Sequence, residues 1–278
     1  MKLFMILLIV ALVIIVLPLF AYYQDNHLVV SEYTYNNANL PKEFNNYKIV
    51  QLSDLHDKEF GDDQEKLVSY IHDINPDAIF LTGDFVTKKS IAHSQKLIEL
   101  LADKYDMFFV PGNHEAGYMK YEELKEILDD NNVCILENKA VTIQKGNASI
   151  NVIGLLDPSF YKQNAAANAK EMESALESLI DNLEGSTLML SHRPEHIDIY
   201  SKYNINLVFS GHAHGGQFIL PFIGSVYAPG QGLFPKLTQG KHEKDGTTLI
   251  VSRGLGNLVP VPRLFNYPEI VVVTLHNT

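Results

Sequence analysis

The sequence predicts an α/β protein in which two mixed sheets pack together between flanking helices, behind one N-terminal transmembrane helix. Three observations predict this. The first half alternates short apolar runs with amphipathic segments, the β-loop-α pattern of a largely parallel sheet. The second half adds strands joined by short connections, which implies a mixed sheet. Residues 3–21 form an unbroken apolar run.

At ~1.5 Å per residue, the run 3–21 is just long enough to cross a hydrocarbon core of about 30 Å. Pro18 lies inside it, and lipid-embedded helices tolerate proline. Tyr22 and Tyr23 follow, as suits a membrane–water interface. Lys2 precedes the run, and no Lys or Arg follows it until Lys42. The positive-inside rule therefore puts the N-terminus in the cytoplasm and the rest of the chain outside the cell membrane. A cleaved signal peptide is the competing reading. The run exceeds a usual signal core, and Leu19-Phe20-Ala21 is a poor cleavage site. The expected organisation is an anchor at 1–23, a linker and lead-in at 24–46, and one large domain at 47–278.

Within that domain, 47–52 reads as a strand. Residues 64–74 read as a helix with Leu67, Tyr70, Ile71 and Ile74 on one face, stopped at Asn75-Pro76. A strand at 77–81, a helix at 90–102, a strand at 107–110 and a helix at 121–128 continue the alternation. Strands follow at 133–135, 140–143 and 150–154, then a long helix at 165–183. Strands at 187–190, 206–209, 247–251 and 270–275 complete the count. Residues 218–237 mix aliphatics, aromatics, Gly and Pro. They read either as a hairpin packed into the core or as an apolar rim facing the bilayer.

Composition narrows the function. Of 278 residues, enough acids exceed bases to give a net charge of −11. No nucleic acid partner is expected, because phosphate-backbone binding needs a basic face. An anionic substrate must instead be drawn in by local positive charge, such as metal ions. Cys134 is the sole cysteine, which excludes an intramolecular disulfide and a zinc–thiolate cluster.

The polar residues just after the strands carry the chemistry. They are Asp54, His56, Asp84, Asn113, His114, His192, His212 and His214. His212 and His214 stand two apart between glycines, where the chain can turn tightly around an ion. Carboxylate oxygen, amide oxygen and imidazole nitrogen together suit Zn, Mn or Fe. Two such ions need one bridging carboxylate and about three further ligands each.

Asp54-Leu55-His56, Gly83-Asp84, Gly112-Asn113-His114-Glu115, His192 and Gly211-His212-Ala213-His214 resemble the five-part signature of the calcineurin-like metallophosphoesterases, in family order. Gly215-Gly216-Gln217 and Ser252-Arg253-Gly254-Leu255-Gly256 resemble the membrane-associated bacterial phosphodiesterase branch. The resemblance implies a four-layer αββα sandwich. It implies two divalent metal ions (Mn, Zn, Fe or Mg), one on Asp54, His56 and His214, the other on Asn113, His192 and His212, with Asp84 between them. His114 would lie beside the ions near the leaving group.

Such a pair lowers the pKa of a bridging water, so that hydroxide can attack phosphorus near neutral pH. His114 can protonate the departing oxygen as general acid. Arg193 and Arg253, two of only three arginines, can clamp a phosphate bidentately. The expected reaction is hydrolysis of phosphodiester or pyrophosphate bonds at the outer face of the membrane. The substrate is a phosphoester that a lipid can carry: a nucleotide-sugar lipid, a phospholipid, a teichoic-type polymer, or else a cyclic nucleotide. A phosphomonoesterase or protein phosphatase is the alternative on the same fold, although residues 85–89 lack the arginine that protein phosphatases carry there. A non-catalytic metal-binding scaffold is the alternative of another class.

Overall fold

The computed structural model describes residues 2–181, 183–257 and 262–278, without the side chains of residues 2, 3 and 6–11. The first helix, α1 (Lys2–Asn26), leads into the edge strand β1 (Val29–Asn36). Among the described residues no helix is long and apolar enough to cross a membrane. The anchor expected over 1–23 falls in part on residues 1–3 and 6–11, which lie outside that description. β1 occupies part of the stretch read as linker and lead-in. Its Val29, Val30, Tyr33, Thr34 and Tyr35 are the β-branched and aromatic types that favour strands.

The chain continues through β2 (Tyr47–Leu52), α2 (Glu65–Ile74), β3 (Ala78–Leu81), α3 (Ala92–Ala102) and β4 (Asp106–Phe109). Then come α4 (Asn113–Gly117), α5 (Lys120–Asp130), β5 (Cys134–Ile135), β6 (Lys139–Lys145) and β7 (Ala148–Gly154). α6 (Ala165–Ile180), β8 (Thr187–Leu190), α7 (Ile197–Lys202) and β9 (Leu207–Ser210) follow. Two small hairpins come next, β10 (Ile219–Leu220) with β11 (Gly224–Ser225) and β12 (Tyr227–Ala228) with β13 (Gly232–Leu233). β14 (Gly240–Lys244), β15 (Thr247–Val251) and β16 (Glu269–His276) end the chain.

Local chemistry explains the boundaries. α2 buries Leu67, Val68 and Ile71 and ends where Asn75 turns left-handed ahead of Pro76. α6 starts where the Asn164 side chain accepts the Ala167 N–H at 3.0 Å.

One sheet runs β1-β16-β2-β3-β4-β5 and the other β14-β15-β9-β8-β7-β6. β2, β3, β4 and β5 pair in parallel, as do β15, β9, β8 and β7; antiparallel pairs at β16–β2, β14–β15 and β6–β7 make both sheets mixed. Strand alternation divides the apolar side chains among three layers of core. Ile49, Phe80, Phe108, Leu188, Leu190, Leu207, Phe209 and Ile250 meet between the sheets. Val50, Leu52, Ile79, Leu81 and Phe109 face the other way, onto Leu67, Ile71, Leu97, Leu101 and Leu124 of α2, α3 and α5. Met189, Val208, Leu249 and Val251 pack on Met172, Leu176 and Tyr200 of α6 and α7. The result is helix, sheet, sheet, helix. Gln51, buried between the sheets, donates its amide to Thr82 Oγ1 and to the Ser210 carbonyl, both at 2.9 Å. It ties together the carboxyl ends of strands from both sheets.

Candidate metal centre

Every residue expected to bind metal lies within a few positions of the carboxyl end of a parallel strand, β2, β3, β4, β8 or β9. The loops carrying them are bonded to one another. The Asp54 N–H donates to the Gly83 carbonyl at 2.9 Å and the His56 N–H to that of Asp84 at 2.9 Å. The Gly211 N–H donates to the His192 carbonyl at 3.0 Å. Asp54, His56, Asp84, His212 and His214 all have positive φ, 47–65°. Side chains other than Gly rarely adopt this conformation, and it persists where surrounding bonds enforce it. Gly211 meets a tighter demand, since an added Cβ would overlap Ser53 Oγ and the Asp54 carboxylate.

Three sets of side chains offer atoms close enough to share an ion: Asp54, His56 and His214; His56, Asp84 and His114; and Asp84, His192 and His212. His214 Nε2 lies 3.3 Å from Asp54 Oδ1 and 3.1 Å from His56 Nε2. Asp84 Oδ2 lies 3.2 Å from His192 Nε2, 3.8 Å from His114 Nε2 and 3.9 Å from His56 Nε2. Asp84 thus belongs to both ends of the cluster. Asn113 Oδ1 is buried and, among the described residues, without a hydrogen-bond partner. A buried amide oxygen left unpaired is costly unless a cation is its partner. The donor set therefore fits divalent metal.

Electrostatics keeps most of the set ready to bind. Burial lowers His56 and His214 to about 3 and holds His212 well below its ordinary value, so all three imidazoles are neutral at pH 7. Burial acts against charge on Asp84 too, but the His192 ring, through its charge and its hydrogen bond, outweighs it and holds the carboxyl well below its ordinary value. At His192 burial is likewise outweighed, here by Asp84, and its pKa rises to about 10. His192 Nδ1 lies 2.7 Å from the Thr82 carbonyl, which accepts the Nδ1 proton and leaves Nε2 facing the site.

The sequence profile of the calcineurin-like phosphoesterases matches residues 47–216. The chain belongs to the calcineurin-like phosphoesterase family. It is thus a hydrolase family member acting on phosphoesters. It is 29% identical over 266 residues to the metallophosphoesterase YkuE of Bacillus subtilis, covering 93% of this chain and 90% of the relative. It is 26% identical over 323 residues to the UDP-2,3-diacylglucosamine pyrophosphatase LpxG of Chlamydia muridarum, with 94% of each covered. Among solved structures, TT1561 of Thermus thermophilus shares the fold with a TM-score of 0.52 at 14% identity, over 75% of this chain and 89% of that one.

In this phosphoesterase the cluster opens onto a cleft of about 780 Å³ lined by Thr87, Lys88, Lys89, His114, Tyr118 and His214 among others. The His114 N–H donates to Asp84 Oδ1 at 2.8 Å, while its ring stands against Tyr118 with centroids 5.0 Å apart. The two arginines singled out from sequence part company. Arg193 Nη1 lies 3.2 Å from His212 Nε2, and its guanidinium is clamped by Asp157, Ser159 and Glu195. Arg253 pairs with Glu269 at 3.0 Å and reaches Ser31. Its neighbours serve the site through backbone: the Leu255 N–H donates to the Ser53 carbonyl at 3.0 Å and the Gly256 N–H to that of Asp54 at 2.6 Å.

Five residues beyond the expected ligands, acid and arginines also shape the site. Buried Glu115 accepts N–H bonds from Asp84, Phe85, Val86 and Gly112 at 2.7–3.1 Å, and so shapes the Asp84 loop. Burial beside Asp84 pushes its pKa up to about 7, against those four donors. Arg263, also buried, donates to the Arg253 and Gly256 carbonyls and brings Nη2 to 3.4 Å from His214 Nδ1. Its signal was its rarity, as the third arginine of the chain. Asn266 donates to the His214 carbonyl at 2.7 Å. Lys88 and Lys89, a basic pair that follows the Gly83-Asp84 motif after Phe85-Val86-Thr87, line the cleft.

Proposed function

We propose that this chain is a dinuclear-metal hydrolase of phosphodiester or pyrophosphate bonds, held at the outer face of the cytoplasmic membrane and acting on lipid-linked substrates. One observation carries the chemistry: two of three overlapping ligand sets share Asp84, and His114 and His214 of those sets line a cleft together with Lys88 and Lys89. In this reading 47–278 is the catalytic domain. Asp54, His56 and His214 hold one divalent ion, Asn113, His192 and His212 the other, and Asp84 both. Bound there, the ions supply Lewis acidity toward phosphate oxygens and acidify water to near neutral pH.

The chain's own residues do the rest. His114, fixed through its N–H on Asp84 and facing the cleft, gives a proton to the departing oxygen. Lys88 and Lys89 draw an anionic phosphoester toward a protein whose net charge is −11. Arg193, beside His212, suits a phosphate contact; Arg253, committed to Glu269, suits support of the Asp54 loop. The pyrophosphatase activity of the LpxG relative on UDP-2,3-diacylglucosamine supports a pyrophosphate bond and an acylated substrate. The apolar run, with Lys2 before it and no Lys or Arg after it until Lys42, supports the anchor and its orientation.

The test is metal content and turnover of the detergent-purified full chain, with bis-p-nitrophenyl phosphate, p-nitrophenyl phosphate and a UDP-linked glycolipid, in Mn, Zn and Mg. Diester or pyrophosphate cleavage that Asp84→Asn abolishes is expected. Absence of metal uptake refutes the proposal, and preference for the monoester refutes its bond class. Protease added to intact spheroplasts should degrade the domain; protection refutes the location.

A further inference from the structure

The two small hairpins place large apolar side chains where the folded domain makes no use of them. Phe222, at the β10–β11 turn, is fully exposed, and Ile223 beside it is mostly so. Leu233 and Phe234, at the end of β13, are 70% and 62% exposed. Phe265 is 49% exposed. Phe222, Phe234 and Phe265 also share a backbone anomaly, with φ of 67°, 53° and 53°. Turns of this hand normally take Gly or Asn, and a bulky residue there is strained. Strained turns of this kind cluster at ligand clamps and binding surfaces, which makes three of them, each presenting a benzene ring to solvent, a candidate contact surface.

These tips form one bonded unit with the end of α1. The Phe234 N–H donates to the Val226 carbonyl at 2.9 Å, the Val226 N–H to that of Phe218 at 3.0 Å, and the Ile219 N–H to that of Leu264 at 2.9 Å. Gln24 and Asp25 of α1 accept the N–H groups of Phe265 and Arg263, each at 2.8 Å. Phe20 meets Phe265 edge-on, with centroids 6.2 Å apart. An apolar groove of about 430 Å³ runs between Leu17, Pro18 and Phe20 of α1 and Phe218 and Leu264 of the domain. α1 itself exposes Leu12, Ile14, Ile15, Leu17 and Leu19.

Position and charge say what covers this surface. β16 is antiparallel to β2, so the β1 and β16 starts, and α1 before them, stand at the end of the sheet where Asp54 and Asp84 lie. Tyr227, on the cleft wall, pairs across its hairpin with Leu233. Anchor helix, apolar tips and cleft mouth therefore share one end of the molecule. Although the chain has 33 acids, none occurs between Ile199 and His242 or between Gly246 and Pro268. Aromatic-bearing segments without carboxylates of their own complement lipid headgroups above an acyl layer.

We propose that Phe222, Ile223, Leu233, Phe234 and Phe265 insert into the same leaflet interface that α1 enters, so that the cleft opens onto the bilayer surface. The proposal rests on the anchor reading. The protein contains no tryptophan, so single substitutions make clean fluorescent reporters. Full chain is placed in lipid nanodiscs as Phe222→Trp, Phe234→Trp, Ile14→Trp in the anchor, or Asn147→Trp. Asn147 is exposed at the β6–β7 turn, at the other end of the strands.

With brominated lipids, Phe222→Trp and Phe234→Trp should lose emission, most strongly with bromines near the headgroup, and shift to shorter wavelength. Asn147→Trp should keep its emission. Quenching at Ile14 without quenching at either tip overturns the proposal and leaves the anchor standing. Quenching at the tips but not at Ile14 upholds the docking surface and removes the anchor. Unquenched tips in a dimer that Phe222→Asp with Phe234→Asp dissociates would also overturn it, since the tips would then contact a second copy.

Discussion

Glu115 looks remote from the chemistry, yet its replacement should be among the most damaging at the site. Its Oε2 takes the N–H groups of Asp84 and Gly112 at 2.8 and 2.7 Å, and its Oε1 those of Phe85 and Val86 at 2.7 and 3.1 Å. Glu115→Gln keeps the shape but turns one acceptor into an NH₂ group, so two buried donors lose their partner. At about 1 kcal/mol or more per unsatisfied donor, the loss is about 2 kcal/mol. At ~2–4 °C per kcal/mol for a domain of this size, melting should fall by roughly 4–8 °C. Glu115→Ala strips all four donors and should cost about 4 kcal/mol, a large part of a typical folding free energy. The Asp84 loop, held at φ 60°, should relax as well. Thermal unfolding of the full chain in detergent, followed by circular dichroism, reads the stability. Calorimetric titration with Mn reads the site. A Glu115→Gln protein that melts and binds Mn as the parent does would refute the idea that this carboxylate holds the loop.

Asn113→Leu removes the unpaired amide oxygen at nearly constant volume. It should weaken metal binding by more than the about 10–100-fold that loss of an outer ligand contact costs, while melting of the metal-free protein stays level or rises. An unchanged metal affinity would take Asn113 out of the ligand set. Metal uptake should depend on pH through His192. Its pKa, raised to about 10, means that the metal-free site holds a proton there across the neutral range, and a cation must displace it. Affinity should therefore climb about tenfold per pH unit between about pH 6 and 9, with proton release seen as buffer-dependent heat; a flat profile contradicts the assignment. His114→Asn should slow esters with poor leaving groups by about 10²–10⁴-fold and p-nitrophenolate esters far less, with metal content unchanged. Equal losses across leaving groups would contradict an acid role.

Much of the site was legible because its information is local. A polar residue one to four positions past a short apolar run is a candidate strand-end ligand, and several such residues in one order make a set. Asp54, Asp84, His192 and His212 could be named on that pattern alone. β1 was harder to see. Its Ser31-Glu32 interrupts the apolar pattern, and it is a strand because β16, more than 200 positions later, pairs with it. The part Glu115 plays was hidden for the same kind of reason, since nothing near it announces four backbone donors from two loops.

The amino-acid order determined the central strands, the longer helices, the donor types and their place at the carboxyl ends of those strands, since these follow from short-range periodicity and turn chemistry. Tertiary structure alone decided which donors meet. The His56 and His214 nitrogens, 3.1 Å apart, are separated by 158 positions. It likewise sent Arg193 to His212 and Arg253 to Glu269, and turned the phenylalanines of the hairpins outward. Such encounters depend on how two sheets stack and in which register their loops cross, a property of the whole packed core that no short segment carries.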